Sequence, residues 1–192
     1  MSTPTTIEIV PYDEAWPVQF QQVAAPIRAA LGDLALSIDH IGSTSVPGLA
    51  AKDVIDVQVT VAELEQEPIV TALTGLGYVH LDWISGDHIP PSYDEQPDEW
   101  QKLIFRGPED QRRVNLHVRE AGRANQRYAL LFRDYLRADP LAAGAYAQIK
   151  HALARLHPTD QDAYYDVKDP VCDIIMAAAE LWAGLTQNSR PL

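Results

Sequence analysis

Cysteine is nearly missing from this sequence: Cys172 stands alone among 192 residues. One thiol excludes an intrachain disulfide and a cysteine-rich zinc site, and such usage fits a reducing cytoplasm, the expected location. Long apolar runs are missing too. A bilayer-spanning helix needs roughly 20 apolar residues, and the longest candidate, Val171 to Leu185, carries Asp173 and Glu180. Met1 to Val10 lacks the basic start and apolar core of a secretory signal, so none is expected. Positive charge is scarce: 15 Lys and Arg face 27 Asp and Glu, a net charge of −12. That surface repels nucleic acid and anionic lipid, so neither DNA nor a membrane is expected as a partner. There is no Walker A string, no zinc-ligand spacing and no Ser-His-Asp order with a nucleophile elbow.

What is present suits a folded protein. Hydrophobic residues make up 46% and charged residues 22%, ordinary values for one globular domain of this length. Thr6 to Val10 alternates like a short strand, and Asp13 with Pro17 opens a helix to Leu31, closed by Gly32. Leu34 to Ile41 and Val54 to Val61 read as strands, Glu63 to Leu73 as a helix, and Tyr78 to Leu81 as a third strand. Leu103 to Arg106 and Arg113 to Val118 read as a hairpin pair around Gly107-Pro108-Glu109-Asp110. From Asn125 the pattern is helical to near Leu185, broken at Pro140 and Pro158. Residues 82–100 carry Pro90, Pro91, Pro97 and six acids, a stretch too long for an ordinary connection and read as a lid or solvated loop. The order predicts an α+β (α/β) domain: a mixed sheet covered by helices in residues 1–122, then a helical layer in 123–192.

The chemistry concentrates in one string, His40-Ile41-Gly42-Ser43-Thr44-Ser45-Val46-Pro47-Gly48-Leu49-Ala50-Ala51-Lys52-Asp53-Val54-Ile55-Asp56. A strand ends in Gly-Ser, and a turn leads to a strand that opens with acids. Gly42 permits close approach of the backbone to a phosphate, while Ser43 and Thr44 supply hydroxyl donors. Asp56 on the next strand is placed to hold a divalent cation against the same phosphates.

This string resembles the signature of the GrpB family, His-x-Gly-Ser-Thr-x-Val-Pro-Gly-Leu-x-x-Lys-x-x-Ile-Asp. The resemblance continues at His117 in Val114-Asn115-Leu116-His117-Val118, at Phe132-Arg133-Asp134-Tyr135-Leu136-Arg137, and at the pairs Tyr146 with Lys150 and Tyr165 with Lys168. It implies a nucleotidyltransferase-like fold, similar also to the C-terminal extension of some bacterial dephospho-CoA kinases. The nucleotidyltransferase pattern sets two acids two positions apart on one strand face to bind two metals. Asp56 supplies the first, but Gln58 stands at the second.

The expected site therefore comprises Asp56 and His117 as catalytic or metal-binding groups, with Gly42, Ser43, Thr44, Lys52, Arg133, Lys168 and His40 around the phosphates. Mg²⁺ or Mn²⁺ is the expected ion, and no organic cofactor is expected. The partner is a nucleotide or other small phosphorylated ligand, with nucleotidyl transfer to a small acceptor as the reaction. The alternatives are a non-catalytic ligand-binding or accessory domain and, behind it, a metal-dependent hydrolase. Each residue also has a plain structural reading. Ser43 and Asp56 would cap backbone N–H groups, and His117 would be a hydrogen-bonded core histidine. His40 would only orient the Gly-Ser loop, Lys52 would be a solvated charge at a strand start, and Arg133 would form a surface ion pair with Asp134. The four tryptophans, Trp16, Trp83, Trp100 and Trp182, read as packing residues, and Cys172 as inert on an apolar helix face with Ile175.

Overall fold

The computed structural model describes residues 6–91 and 96–188; Asp94 and Glu95, two of the six acids of the 82–100 stretch, lie outside the described residues. Helix α1 spans Trp16–Leu31, where Trp16, Phe20, Ala24, Ile27 and Leu31 recur every three or four residues and are all buried. Pro17 sits in its first turn, where the missing N–H has no helical partner to lose, and Gly32 ends it at a positive φ of 51°. Asp13 does not cap the helix directly; its carboxylate accepts the N–H of Ala15 at 2.8 Å.

Strand β1 (Ala35–Ile41) pairs antiparallel with β2 (Ile55–Val61), which pairs parallel with β5 (Val114–Glu120). Helix α2 (Gln66–Gly75) follows β2, and β3 (Val79–His80) and β4 (Leu103–Arg106) complete a mixed sheet of order β1-β2-β5-β4-β3. Along β2, Ile55, Val57, Val59 and Val61 point to one face and are buried against α1 and α2. Each such side chain contributes about 1.5–3 kcal/mol by leaving water. Alternation sends Asp56, Gln58 and Thr60 to the opposite face, and the β5 neighbours Asn115, His117 and Arg119 lie beside them in register. The sheet thus has one apolar face and one polar face.

Three helices roof the polar face: α3 (Ala124–Ala138), α4 (Pro140–Leu156) and α5 (Gln161–Asn188). The break at Pro140 has a local cause. Asp139 accepts the N–H groups of Leu141 and Ala142, both at 3.0 Å, and Pro140 opens the new helix. A second apolar cluster, Val46, Leu49, Leu136 and Tyr146 with Phe132, Val171 and Ile175 against it, fastens the roof to the loop after β1.

The α+β expectation and the hairpin around residues 107–110 are met. Three local expectations are corrected. Residues 6–10 form no strand of the sheet: Val10 makes one isolated bridge to Ala51, while the N–H of Ile7 donates to Pro158 O at 2.7 Å. Trp83 does not pack, being 73% exposed. The 82–100 stretch is not simply solvated, because Gly86 bridges Gln101, Pro97–Trp100 forms a short helical turn, and Asp87 is carried into the polar face.

Candidate functional site

The corner after β1 sets the site. Gly42 has φ +68°, and a Cβ there would overlap Asp56 Oδ2, so glycine lets the Asp56 carboxylate lie directly against the turn. Asp56 Oδ1 accepts from Asn115 Nδ2 at 2.9 Å, and burial pushes the carboxyl above its ordinary range. Ser43–Ser45 forms a single helical turn, tightened by Ser45 Oγ donating to Gly42 O at 2.6 Å. Thr44 is buried, and its hydroxyl donates to Val54 O at 3.3 Å. With that proton committed, the 3.0 Å contact to His40 requires His40 Nε2 to be the donor. Burial first, then Arg137 and Arg133, push His40 down to about 4 and keep it neutral. His40 stacks on Phe20 and pairs with Val57, so it lies on the apolar face, away from Asp56.

Between the polar face and the roof lies a cavity of about 360 Å³ that Ser43, Asp56, His117, Lys52, Lys150 and Lys168 all line. Lys150, from α4, is 3% exposed; its Nζ reaches Ser43 Oγ at 2.9 Å and Ala50 O at 2.5 Å and lies 4.6 Å from the Tyr146 ring centre. Burial pushes it down to about 7. Lys52 Nζ donates to Tyr165 Oη at 3.4 Å and sits over the Tyr164 and Tyr165 rings at 4.1 and 4.7 Å. Burial and then the neighbouring Lys168 push Lys52 down to about 8. Lys168 is different. Burial works against its charge, but the Cys172 sulfur and Asp169, the latter bonded at 2.7 Å, outweigh it and hold the ammonium above its usual range.

Further along β2 the polar face is closed by a buried network. Gln58 is fully buried; its Oε1 accepts Arg119 Nη1 at 2.6 Å and its Nε2 donates to Gln126 O at 3.2 Å. Arg119 also grips Asp87 through Nε at 2.9 Å and Nη2 at 3.0 Å, and Lys102 adds a contact to Asp87 at 2.5 Å. Burial would raise the Asp87 carboxyl, but Arg119 and Lys102 outweigh it and hold it well below the usual carboxylate range. His117 Nδ1 lies 3.4 Å from both Lys102 Nζ and Arg119 Nη2. Both cations only donate, so Nδ1 carries the lone pair and Nε2 the hydrogen. Burial first, and then those two cations, keep the ring neutral.

The structure thus brings together Gly42, Ser43, Thr44, Lys52, Asp56, His117 and Lys168 around one cavity. His40 and Arg133 stay outside it. Arg133 donates to His40 O at 3.1 Å and pairs with Asp134 at 2.7 Å, supporting the β1 backbone instead. Cys172 packs in the apolar cluster as expected but also lines the cavity, 3.5 Å from Tyr146 Oη. Lys150, Asp87 and Arg119 belong to the site without having been expected in it. The Tyr-Lys pair on each of the last two helices was the signal for Lys150; Asp87 and Arg119 left none.

The residues do not fit a divalent metal. Among the described residues no group of three His, Cys, Asp or Glu side chains is placed to share an ion. The second-acid position, Gln58, is taken by Arg119, and His117 turns its lone pair to cations. Asp87 and Asp169 are engaged by Arg119, Lys102 and Lys168, which leaves Asp56 as the one cavity carboxylate without a cation partner among the described residues.

Fold and cavity together define an α+β protein with a lysine-lined chamber over the polar face of its sheet. The chain belongs to the GrpB family, which matches residues 6–178 under the description "GrpB protein". It superposes on the crystal structure of the conserved protein GrpB from Enterococcus faecalis with a TM-score of 0.75 at 30% identity, covering 91% of this chain and 99% of that one. A UPF0157 protein from Pseudomonas aeruginosa is 40% identical over 90% of this chain and 67% of its own length. A dephospho-CoA kinase from Mycolicibacterium paratuberculosis is 38% identical over 85% of this chain, which spans only 44% of that kinase.

Proposed function

We infer that the chamber binds a phosphorylated small molecule, a nucleotide or another phosphate ester, through Ser43 and its surrounding lysines. Lys150 carries the reading. It is a buried amine on Ser43 Oγ, with no carboxylate partner among the described residues, in a cavity that two further lysines line. Burying an unpaired ammonium is costly, and grouping three amines around one space adds repulsion. A phosphate between them would relieve both costs, with Gly42 allowing close backbone approach and Ser43 adding a hydroxyl. The nucleotidyltransferase-like reading brought by the family resemblance would route transfer through Mg²⁺, but the donor set here does not fit that ion. No transfer step is assigned.

A second reading, a ligand-binding accessory domain, is favoured by the Gln58–Arg119 pairing. That pairing removes the carboxylate pair and leaves the cationic wall intact. The kinship with a dephospho-CoA kinase makes dephospho-CoA one sensible probe.

Thermal-shift measurements on matched pairs test the function: AMP against adenosine, ribose 5-phosphate against ribose, and dephospho-CoA beside them. Saturation a hundredfold above Kd adds about 2.7 kcal/mol, a shift on the order of 5 °C or more for a chain of this size. The phosphorylated member should raise the melting temperature and its partner should not. Equal behaviour within every pair would refute phosphate recognition. Release of pyrophosphate from a nucleoside triphosphate with Mg²⁺ would instead restore the transferase.

A further inference from the structure

We propose that the chamber takes its phosphate as a metal-free monoester dianion, carried on a molecule with N–H or O–H donors, rather than as a metal-bound nucleoside triphosphate. This rests on the phosphate-binding reading above and narrows it to a ligand class.

Lys168 is matched by Asp169, while Arg119 and Lys102 share the one carboxylate of Asp87 and leave a single positive charge, which the Asp56 carboxylate, hydrogen-bonded to the neutral Asn115, offsets. Among the described residues Lys52 and Lys150 contact neutral partners only: Tyr165 Oη and two tyrosine rings for the first, Ser43 Oγ, Ala50 O and the Tyr146 ring for the second. Two unmatched ammonium groups balance a phosphate monoester, which carries a charge of about −1.5 to −2 at neutral pH. A triphosphate without metal carries about twice that charge and would exceed them. A triphosphate with metal brings a cation that needs carboxylate seats. Of the three carboxylates among the described residues that line the cavity, Asp87 and Asp169 are held by protein cations, while Asp56 is bonded to Asn115 and faces lysines. At Gln58, where a metal-binding acid would stand, a protein cation is installed. Arg119 Nη1 lies 2.6 Å from Oε1 and is itself anchored on Asp87.

The rest of the ligand is constrained by one orphaned atom. Asn125 is 1% exposed and lines the cavity; its Nδ2 donates to Gln101 O at 2.8 Å and Asp87 Oδ2 at 3.2 Å. Those two acceptors fix the amide orientation and leave Oδ1 buried without a partner among the described residues. A ligand N–H or O–H would satisfy it. Sugar phosphates and nucleoside monophosphates carry such donors next to a monoester.

Isothermal titration of the full chain with ribose 5-phosphate and with AMP, each in EDTA and again with Mg²⁺, tests the proposal. At least one monoester should bind in EDTA with its affinity unchanged by Mg²⁺, and ATP with Mg²⁺ should bind no more tightly than AMP. Lys52→Met and Lys150→Met should each weaken monoester binding roughly ten- to hundredfold, the usual worth of a charged hydrogen bond. Binding that requires Mg²⁺, or that favours ATP with Mg²⁺ over both monoesters, overturns the metal-free assignment while leaving phosphate binding standing. Absence of heat with every phosphate under both conditions removes the underlying reading and this inference with it. Should either variant melt below the wild type, the comparison of EDTA with Mg²⁺ on the native chain decides alone.

Discussion

Lys52 and Lys150 sit at about 8 and about 7 because burial disfavours their charged forms. The sign for the free fold follows from that lowering: the cost falls on the folded state as pH drops from the unfolded lysine range towards those values. Anion binding has the opposite requirement, since only the ammonium attracts phosphate. Affinity is therefore expected to peak between about pH 6 and 7, to fall below that as the monoester, with a second pKa of about 6, becomes a monoanion, and to decline above it as the amines lose their protons. Binding at pH 8 should pull protons from solution, and titration in two buffers of different ionisation enthalpy measures that uptake. Zero uptake would mean that the amines do not change charge when the ligand arrives. At this scale the sequence was partly legible. Lys52 lies within the Gly-Ser string itself and was expected beside the phosphates, and it lines the cavity, while Lys150 was visible only as half of a Tyr-Lys pair. Arg133 was misplaced because nothing local tells whether a helical arginine turns to a pocket or, as here, to a neighbouring strand's carbonyl. His40 was misplaced for a simpler reason: adjacent strand residues face opposite ways, and Ile41 rather than His40 shares the Asp56 face.

Among the elements, the junction of β1 with its following turn bears most weight. Gly42→Ala has two costs, a positive φ and an overlap with the Asp56 carboxylate, whereas Gly48→Ala, at φ +79° with nothing within 4 Å, has only the first. The backbone term is about 1–2 kcal/mol in either variant, so Gly42→Ala should melt lower than Gly48→Ala and bind phosphorylated ligands more weakly. Equal melting temperatures with unaltered binding would mean that the close approach of Asp56 to the turn is not needed. Elements with their own periodicity were readable: α1, β2 and the helices of the roof declare themselves through spacing and through the break at Pro140. Residues 6–10 alternate like a strand, but alternation cannot supply a neighbour, and the segment finds one isolated bridge, from Val10 to Ala51 outside the sheet. The 82–100 stretch was opaque because what fixes it is distant. Asp87 is held by Arg119 and Lys102, partners that only the folded sheet brings within reach.

For the molecule as a whole, a chain of net charge −12 keeps a cluster of lysines under cover of its three C-terminal helices. The overall field discourages long anionic polymers, while the local amines favour a small anion that can enter the chamber. The order of elements, sheet first and helices after, was enough to read the α+β architecture, and the Gly-Ser string was enough to read the family. Neither contained the substitution of protein cations for metal, because Gln58 alone does not disclose that Arg119 will fill its acceptor. The central claim is that Ser43, Lys52 and Lys150 converge on one phosphate. A crystal of the protein soaked with AMP tests it most directly: the phosphate should appear within hydrogen-bonding distance of Ser43 Oγ and the Nζ atoms of Lys52 and Lys150. A phosphate bound elsewhere on the protein, with the lysine chamber holding only water, would contradict it.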